Sequence, residues 1–258
     1  MQDDKPIKFV LLTTQRSGAT FFIKYLSSHP EIACRHQAVF TQINKFKYLS
    51  FDRPSSFYYR FRSKSINNKI FHWFLREKLI YNFLNEYIQS LTQNAKAVGF
   101  KVSYKHIEKY PMVANWIKFN NAKIIHLIRS NILKTILSLE TAKKRKLFHS
   151  SKKVENVKVY IAPKKLKRKL KRRIKQIAKF QKVFRSNNYI EIFYESLLFN
   201  RDSETLKVIK FLDVNNFTLK EPDIVKMNPD SIEQIIQNFD EVTQYLKNTI
   251  YEKYLSTN

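Results

Sequence analysis

The residues best placed to do chemistry lie near the N-terminus, in the stretch Phe9-Val-Leu-Leu-Thr-Thr-Gln-Arg-Ser-Gly-Ala-Thr-Phe-Phe22. It reads as an apolar strand, a tight turn and a helix start. From Thr13 to Thr20 the turn follows the frame of a phosphate-binding loop, G-x-x-x-x-G-K-[ST], in which a lysine reaches the β/γ-phosphates and a hydroxyl holds Mg²⁺. Gly18 stands at the second glycine and Thr20 at the hydroxyl, but Ala19 replaces the lysine. A loop that cradles phosphate without that lysine argues against a nucleoside triphosphate. The basic residue lies inside the turn instead, at Arg16. That arrangement suits a nucleotide with a single 5′-phosphate carrying a group to be transferred. The backbone amides of Ser17, Gly18, Ala19 and Thr20, at a helix N-terminus, are the expected donors to that phosphate.

A second constellation runs from Lys123 to Ser138: an apolar strand, then Arg129, then a helix carrying Ser138. Arginine gives bidentate, charge-assisted hydrogen bonds to phosphate oxygens. A serine hydroxyl and a helix N-terminus add donors at little steric cost.

Thr14-Gln-Arg-Ser-Gly-Ala-Thr20, followed by Leu26-Ser-Ser-His-Pro-Glu31, resembles the 5′-phosphosulfate loop of sulfotransferases that use 3′-phosphoadenosine 5′-phosphosulfate (PAPS). The bacterial and tyrosylprotein types, with a loop R-S-G-[ST]-T, are the most similar. The Arg129 segment resembles the family's 3′-phosphate motif. The usual spacing from Arg to Ser is eight residues and here it is nine, so Ser130 competes with Ser138 for that role. Tyr189-Ile-Glu-Ile-Phe-Tyr-Glu-Ser-Leu198 is similar to a third family segment and puts Tyr194 on the cofactor side. Met227-Asn-Pro229 and Ile236–Val242 are similar to the tail of bacterial members. The resemblance spans roughly residues 7–255 and implies one sulfotransferase domain over 1–258. It implies PAPS as co-substrate and no metal. It implies sulfuryl transfer to a hydroxyl or amine of a small molecule, glycan or lipid.

Sulfuryl transfer requires donor and acceptor in line, a proton removed, and charge neutralised on the leaving phosphate. By the resemblance Arg16 sits on the bridging oxygen, and Thr20 adds a hydroxyl donor. The general base is less determined. Relatives carry a glutamate near positions 37 and 38, where this chain has Gln37 and Ala38. His36 is the nearest titratable group and its ordinary pKa suits a base near neutral pH. His106, Glu31 and His126 remain alternatives, as does transfer without a protein base. Lys101, at a strand end, is a candidate for neutralising the sulfate.

These groups need a scaffold, and the chain supplies one. Strands are expected at 7–12, 32–35, 96–103, 123–128 and 189–194. They alternate with helices at 18–28, 69–92, 110–119, 131–146 and 163–185, with further helices from 203. Alternation of this kind implies parallel βαβ units. Short, almost wholly apolar strands imply a sheet covered on both faces. The expected class is α/β: a central, mainly parallel sheet flanked by helices, a P-loop-like three-layer sandwich. Ligands of such sheets bind at the carboxyl ends of strands, where both constellations fall. Residues 40–95 read as a helical insertion near the acceptor site.

Composition sets the outer bounds. In 258 residues 43% are hydrophobic and 21 are Phe, ample for a core. Cys34 is the only cysteine, so no intrachain disulfide forms. The N-terminus lacks a signal pattern and no run of about 18 apolar residues occurs, so a cytoplasmic location is expected. The net charge is +27, and residues 143–185 carry 19 Lys or Arg against one acid, Glu155. There Leu166, Leu170, Ile174 and Ile177 recur at helical spacing and leave the other faces basic. That segment reads as a solvated surface helix, or as a surface for an acidic acceptor or an anionic membrane. Nucleic acid is disfavoured, because no zinc, RNP or helix-turn-helix pattern is present. Two other readings compete: a P-loop nucleotide-binding, kinase-like protein, and a non-catalytic polyanion binder on the same scaffold.

Overall fold

The computed structural model describes residues 5–35, 69–91, 95–148, 150, 152, 154–185 and 188–256. Five parallel strands form its centre: β1 (Ile7–Thr13), β2 (Ile32–Arg35), β3 (Ala97–Ser103), β4 (Lys123–Ile128) and β5 (Tyr189–Phe193). Their order is β2-β3-β1-β4-β5. β1 therefore lies in the middle, in register with β3 from Ile7↔Ala97 to Thr13↔Ser103 and with β4 from Phe9↔Lys123 to Thr13↔Leu127. The chain leaves β1 toward one edge and later returns past it to the other. The carboxyl end of β1 is thus where the winding reverses and a crevice must open.

Nine helices connect the described strands or follow them: α1 (Ala19–Leu26), α2 (Lys69–Gln89), α3 (Tyr104–Lys109), α4 (Met112–Phe119), α5 (Ile132–Arg145), α6 (Pro163–Phe184), α7 (Tyr194–Phe199), α8 (Arg201–Leu212) and α9 (Phe239–Leu246). Side chains alternate across a strand, so the apolar runs feed two cores. Val10, Leu12, Val98, Phe100, Val102 and Ile124 face one side, against α2, α4 and the far end of α6. Phe9, Leu11, Ala97, Ile125, Leu127 and Ile192 face the other, against α1 and α8. This is the expected three-layer α/β sandwich.

Gly99 permits the close approach of β3 and β1. A side chain there would meet the Phe9 carbonyl oxygen at 2.5 Å and its ring at 2.6 Å.

Element ends differ from expectation by a few residues, and two differences are larger. The turn between β3 and the 110–119 region holds α3, too short for any periodicity to mark. Leu79, Phe83, Tyr87 and Leu91 recur at helical spacing on and just after α2, yet Leu79 is 62% exposed, while Tyr87 and Leu91 are buried together with Ile80, Leu84 and Ile88. The basic α6 behaves as its periodicity predicts. Leu166 and Leu170 are fully buried against α5 and α9, and Phe180 and Phe184 reach the sheet. One helix therefore spans two packed regions while its cationic residues, Arg173 excepted, stay outside.

Among the described residues no helix is long and apolar enough to cross a membrane, and no cluster of His, Cys, Asp or Glu is arranged to hold a metal ion.

Candidate functional site

At the carboxyl ends of β1, β3 and β4 lies a cleft of about 520 Å³. Its floor is the loop after β1. That loop turns through two left-handed residues, Arg16 (φ 67°) and Gly18 (φ 84°). For arginine this conformation is strained, a feature that clusters at ligand sites. Gly18 is the N-cap of α1 and has no side chain to bond the first-turn amides. Those amides have no partner within the helix. Ser17 is fully buried; its hydroxyl bonds the Thr14 carbonyl at 2.8 Å and the Thr13 hydroxyl. It braces the loop and does not line the cleft, whereas Gly18, Ala19 and Thr20 do.

The cations gather on one side. Arg16 donates from Nε to the Ser138 hydroxyl at 2.9 Å and from Nη1 to the Phe148 carbonyl, and Nη2 lies 3.8 Å from Met227 Sδ. It is turned away from the loop amides, toward α5. Arg129 donates to the Arg16 carbonyl at 3.3 Å and stacks its guanidinium 4.9 Å above the Tyr194 ring, while its buried Nε has no hydrogen-bond partner. Burial, then the charge of Arg129, holds Arg16 below the usual arginine range. Burial likewise lowers Arg129.

Lys101, at the end of β3, donates to Thr20 Oγ1 at 3.1 Å and is lowered by desolvation. It is the cation beside the loop's helix terminus, the place expected for Arg16. Lys134, Arg201 and Lys226 bring the described cations lining the cleft to six, and no described carboxylate lines it; Arg201 pairs with Glu221 and Lys226 with Asp230 at its margin. Desolvated like charges at close quarters are destabilising alone and are relieved by an anion.

Tyr194 and Glu195 divide two tasks. The Tyr194 ring fills the space beside Gly18. Glu195 accepts the Ser130 and Asn131 backbone amides at 2.8 and 3.2 Å, and the Asn131 side chain accepts the Lys134 amide at 3.1 Å. Three amides at the α5 N-terminus, expected to offer donors to a phosphate, are therefore already occupied. Ser138 lines the cleft and Ser130 does not.

Of the candidate bases, His36 lies outside the described residues, as do Gln37 and Ala38. Glu31 bonds Asn215 and Lys96 away from the cleft. His126 is fully buried. Its Nδ1 bonds Tyr189 and its Nε2 bonds Tyr104. Tyr189 in turn donates to Glu191 at 2.7 Å. Tyr189 therefore accepts from His126 Nδ1–H, which leaves Nε2 to accept the Tyr104 hydroxyl proton. Desolvation lowers His126 to about 4 and keeps it neutral. His106 lines the cleft; its Nδ1 accepts the Ser103 amide at 3.4 Å, and burial with three nearby lysines lowers it to about 4.

Sequence reasoning missed Lys134, Arg201 and Lys226, which carry no motif signal. It also missed Arg173, which donates from α6 to Thr14 Oγ1 at the loop's start. A signal existed there: 166, 170, 173 and 177 share one helical face, so Arg173 interrupts the apolar stripe. The segment Met227-Asn-Pro229, singled out in the sequence, forms one wall of the cleft.

A sequence profile described as "Sulfotransferase family" matches residues 8–218. No curated protein matches the chain in sequence. Among solved structures, the sulfotransferase of Alicyclobacillus acidocaldarius is 14% identical, with 97% of this chain and 95% of that one covered, at a TM-score of 0.49. The sulfotransferase domain of the Synechococcus PCC 7002 olefin synthase is 13% identical over 84% of this chain and 77% of that one, with a TM-score of 0.46. Mouse sulfotransferase SULT7A1, solved in complex with PAP, is 13% identical over 82% of this chain and 61% of that one, with a TM-score of 0.44.

Proposed function

Because the chain belongs to the sulfotransferase family, we propose that it moves a sulfuryl group from PAPS to a hydroxyl or amine of a small-molecule or glycan acceptor. The observation that carries this reading is the cleft itself, lined among the described residues by six cations and no carboxylate beside an uncapped helix N-terminus. Its size is that of a small-ligand site, and the orphaned buried Nε of Arg129 is a donor awaiting an anion. When bound, PAPS supplies an activated sulfuryl group on its 5′-phosphate.

The chain's residues then take distinct roles in this reading. The amides of Gly18, Ala19 and Thr20 bind the 5′-phosphate, with Lys101 opposing the charge that builds on it as the bond breaks. Arg16, Arg129 and Ser138 bind the 3′-phosphate. Arg16 moves from the bridging-oxygen role that resemblance implied, because its guanidinium points to Ser138. Tyr194 braces Gly18 and the Arg129 guanidinium.

His36 remains the proposed general base. His106, with Nδ1 taken by an amide, carries its proton on Nε2 and donates rather than accepts. The loop position that a triphosphate-binding lysine would need is Ala19, buried against the core under α1. This supports PAPS over ATP. The reading includes a cytoplasmic setting, with which the single free thiol of Cys34 accords.

The test is calorimetry of the full chain with 3′-phosphoadenosine 5′-phosphate (PAP), with ATP and Mg²⁺ as control. Affinity on the order of micromolar, falling about a hundredfold in Arg129→Ala, is expected. Absence of binding, or preference for ATP with Mg²⁺, overturns the reading.

A further inference from the structure

The basic helix α6 is not used up by the cleft. Its apolar residues and Arg173 point inward, and Arg168, Lys171, Arg172, Lys175 and Lys179 are exposed along one side. These five line a second concavity of about 420 Å³, together with Glu108 of α3 and Gln176. Glu108, the one acid among the described residues lining it, is held by Gln176 Nε2 at 3.1 and 3.2 Å. None of the five cations is in an ion pair with a described carboxylate. At 1.5 Å per residue the row from 168 to 179 extends about 16 Å, long enough to meet several charges of one chain.

We propose that this groove binds an acidic oligosaccharide, a glycan carrying sulfate or carboxylate groups, and that this is the acceptor class the neighbouring cleft serves. The groove and the cleft are adjacent. α3 carries Glu108 into the groove and His106 into the cleft, and α6 sends Arg173 from its inner face to Thr14 of the donor loop. The two sites are thus built on opposite sides of the same two helices.

The chemistry of the groove selects among polyanions. No described aromatic side chain lines it, so bases of a single-stranded nucleic acid find no stacking platform among these residues. A helix that inserts into a membrane interface must present its apolar face. Here Leu166, Leu170, Phe180 and Phe184 are buried in the protein. What remains is a row of flexible cations suited to repeated anionic groups on a hydroxyl-rich chain.

The glycan's role as acceptor rests on the sulfotransferase reading; its binding to the groove does not, and the experiment separates the two. Anisotropy of a labelled heparin hexasaccharide is measured on the full chain, on R168S/R172S/K175S and on K171S/K179S. Oligothymidylate and phosphatidylserine–phosphatidylcholine vesicles are compared at the same salt, and PAP affinity is measured in parallel. The substituted side chains are exposed and lie outside the cleft. Hexasaccharide affinity is expected to fall at least about tenfold in the triple variant and to fall in the double variant, with PAP affinity unchanged. Unchanged hexasaccharide affinity in both variants overturns the proposal. So does tighter binding of oligothymidylate or vesicles than of the hexasaccharide. If no protein binds PAP, the donor reading fails, and the hexasaccharide data still decide the groove.

Discussion

The ring of Tyr194 occupies the space that a side chain at Gly18 would need. The two residues are 176 positions apart, on the loop after β1 and at the start of α7. Their contact couples the loop after β1 to the far edge of the sheet and, through the Arg129 guanidinium over the same ring, to the proposed 3′-phosphate subsite.

Gly18→Ala meets two obstacles. A left-handed backbone costs a non-glycine residue about 1–2 kcal/mol, and the new methyl overlaps Tyr194. Thermal melts are expected to show destabilisation beyond the backbone cost, and PAP binding is expected to be lost. In G18A/Y194A the overlap disappears and part of the stability returns. Equal stability in the single and double variants would show that the ring yields freely.

Ser138 and Ser130 separate by position. Ser138→Ala removes the acceptor of Arg16 Nε and the proposed donor to the 3′-phosphate, so PAP affinity is expected to fall about tenfold. Adenosine 5′-phosphate affinity stays unchanged, because that ligand lacks the 3′-phosphate. Ser130→Ala leaves both affinities unchanged, since its contact with Glu195 is made by the backbone. Calorimetry with the two nucleotides tests all four values.

Lys101→Met removes the cation beside Thr20. A charge that opposes the developing negative charge on the leaving phosphate acts on rate more than on binding. Release of PAP from PAPS in single-turnover assays is expected to slow about 10²-fold, with PAP affinity nearly unchanged. A loss confined to affinity would assign Lys101 to binding alone.

Buried His126, held between Tyr104 and Tyr189, predicts a pH dependence of folding. Burial holds His126 at about 4, against about 6.5 in the unfolded chain. Above pH 6.5 both states are neutral and the group has no effect. As pH falls below 6.5 the unfolded chain binds the proton first, so stability falls until the folded form titrates near 4. The loss is on the order of 2–3 kcal/mol for this group, and His106 acts in the same direction. Urea midpoints at pH 7 and pH 5 measure it. In His126→Gln the baseline stability is lower and the fall between those pH values is smaller.

Much of the scaffold was legible because its strands are covered on both faces. Val-Leu-Leu in β1 and Ile-Ile-His-Leu-Ile in β4 have few polar interruptions, and parallel buried strands read as such runs. The loop was legible because Gly18 and Thr20 sit in a fixed frame set by backbone geometry. The stripe of α6 was legible because its periodicity is local. α3 was not, since six residues carry too little period to register. His36 lies outside the described residues.

Local chemistry therefore determined the family, the strands of the sheet and the loop, since each follows from residues adjacent in the chain. Tertiary structure alone decided how the long side chains are used. Arg16 reaches Ser138 across 122 positions, Lys101 reaches Thr20 across 81, and Arg173 reaches Thr14 across 159. Arginine and lysine have many rotamers of similar energy, so the choice among them is made by partners that only the folded sheet brings near.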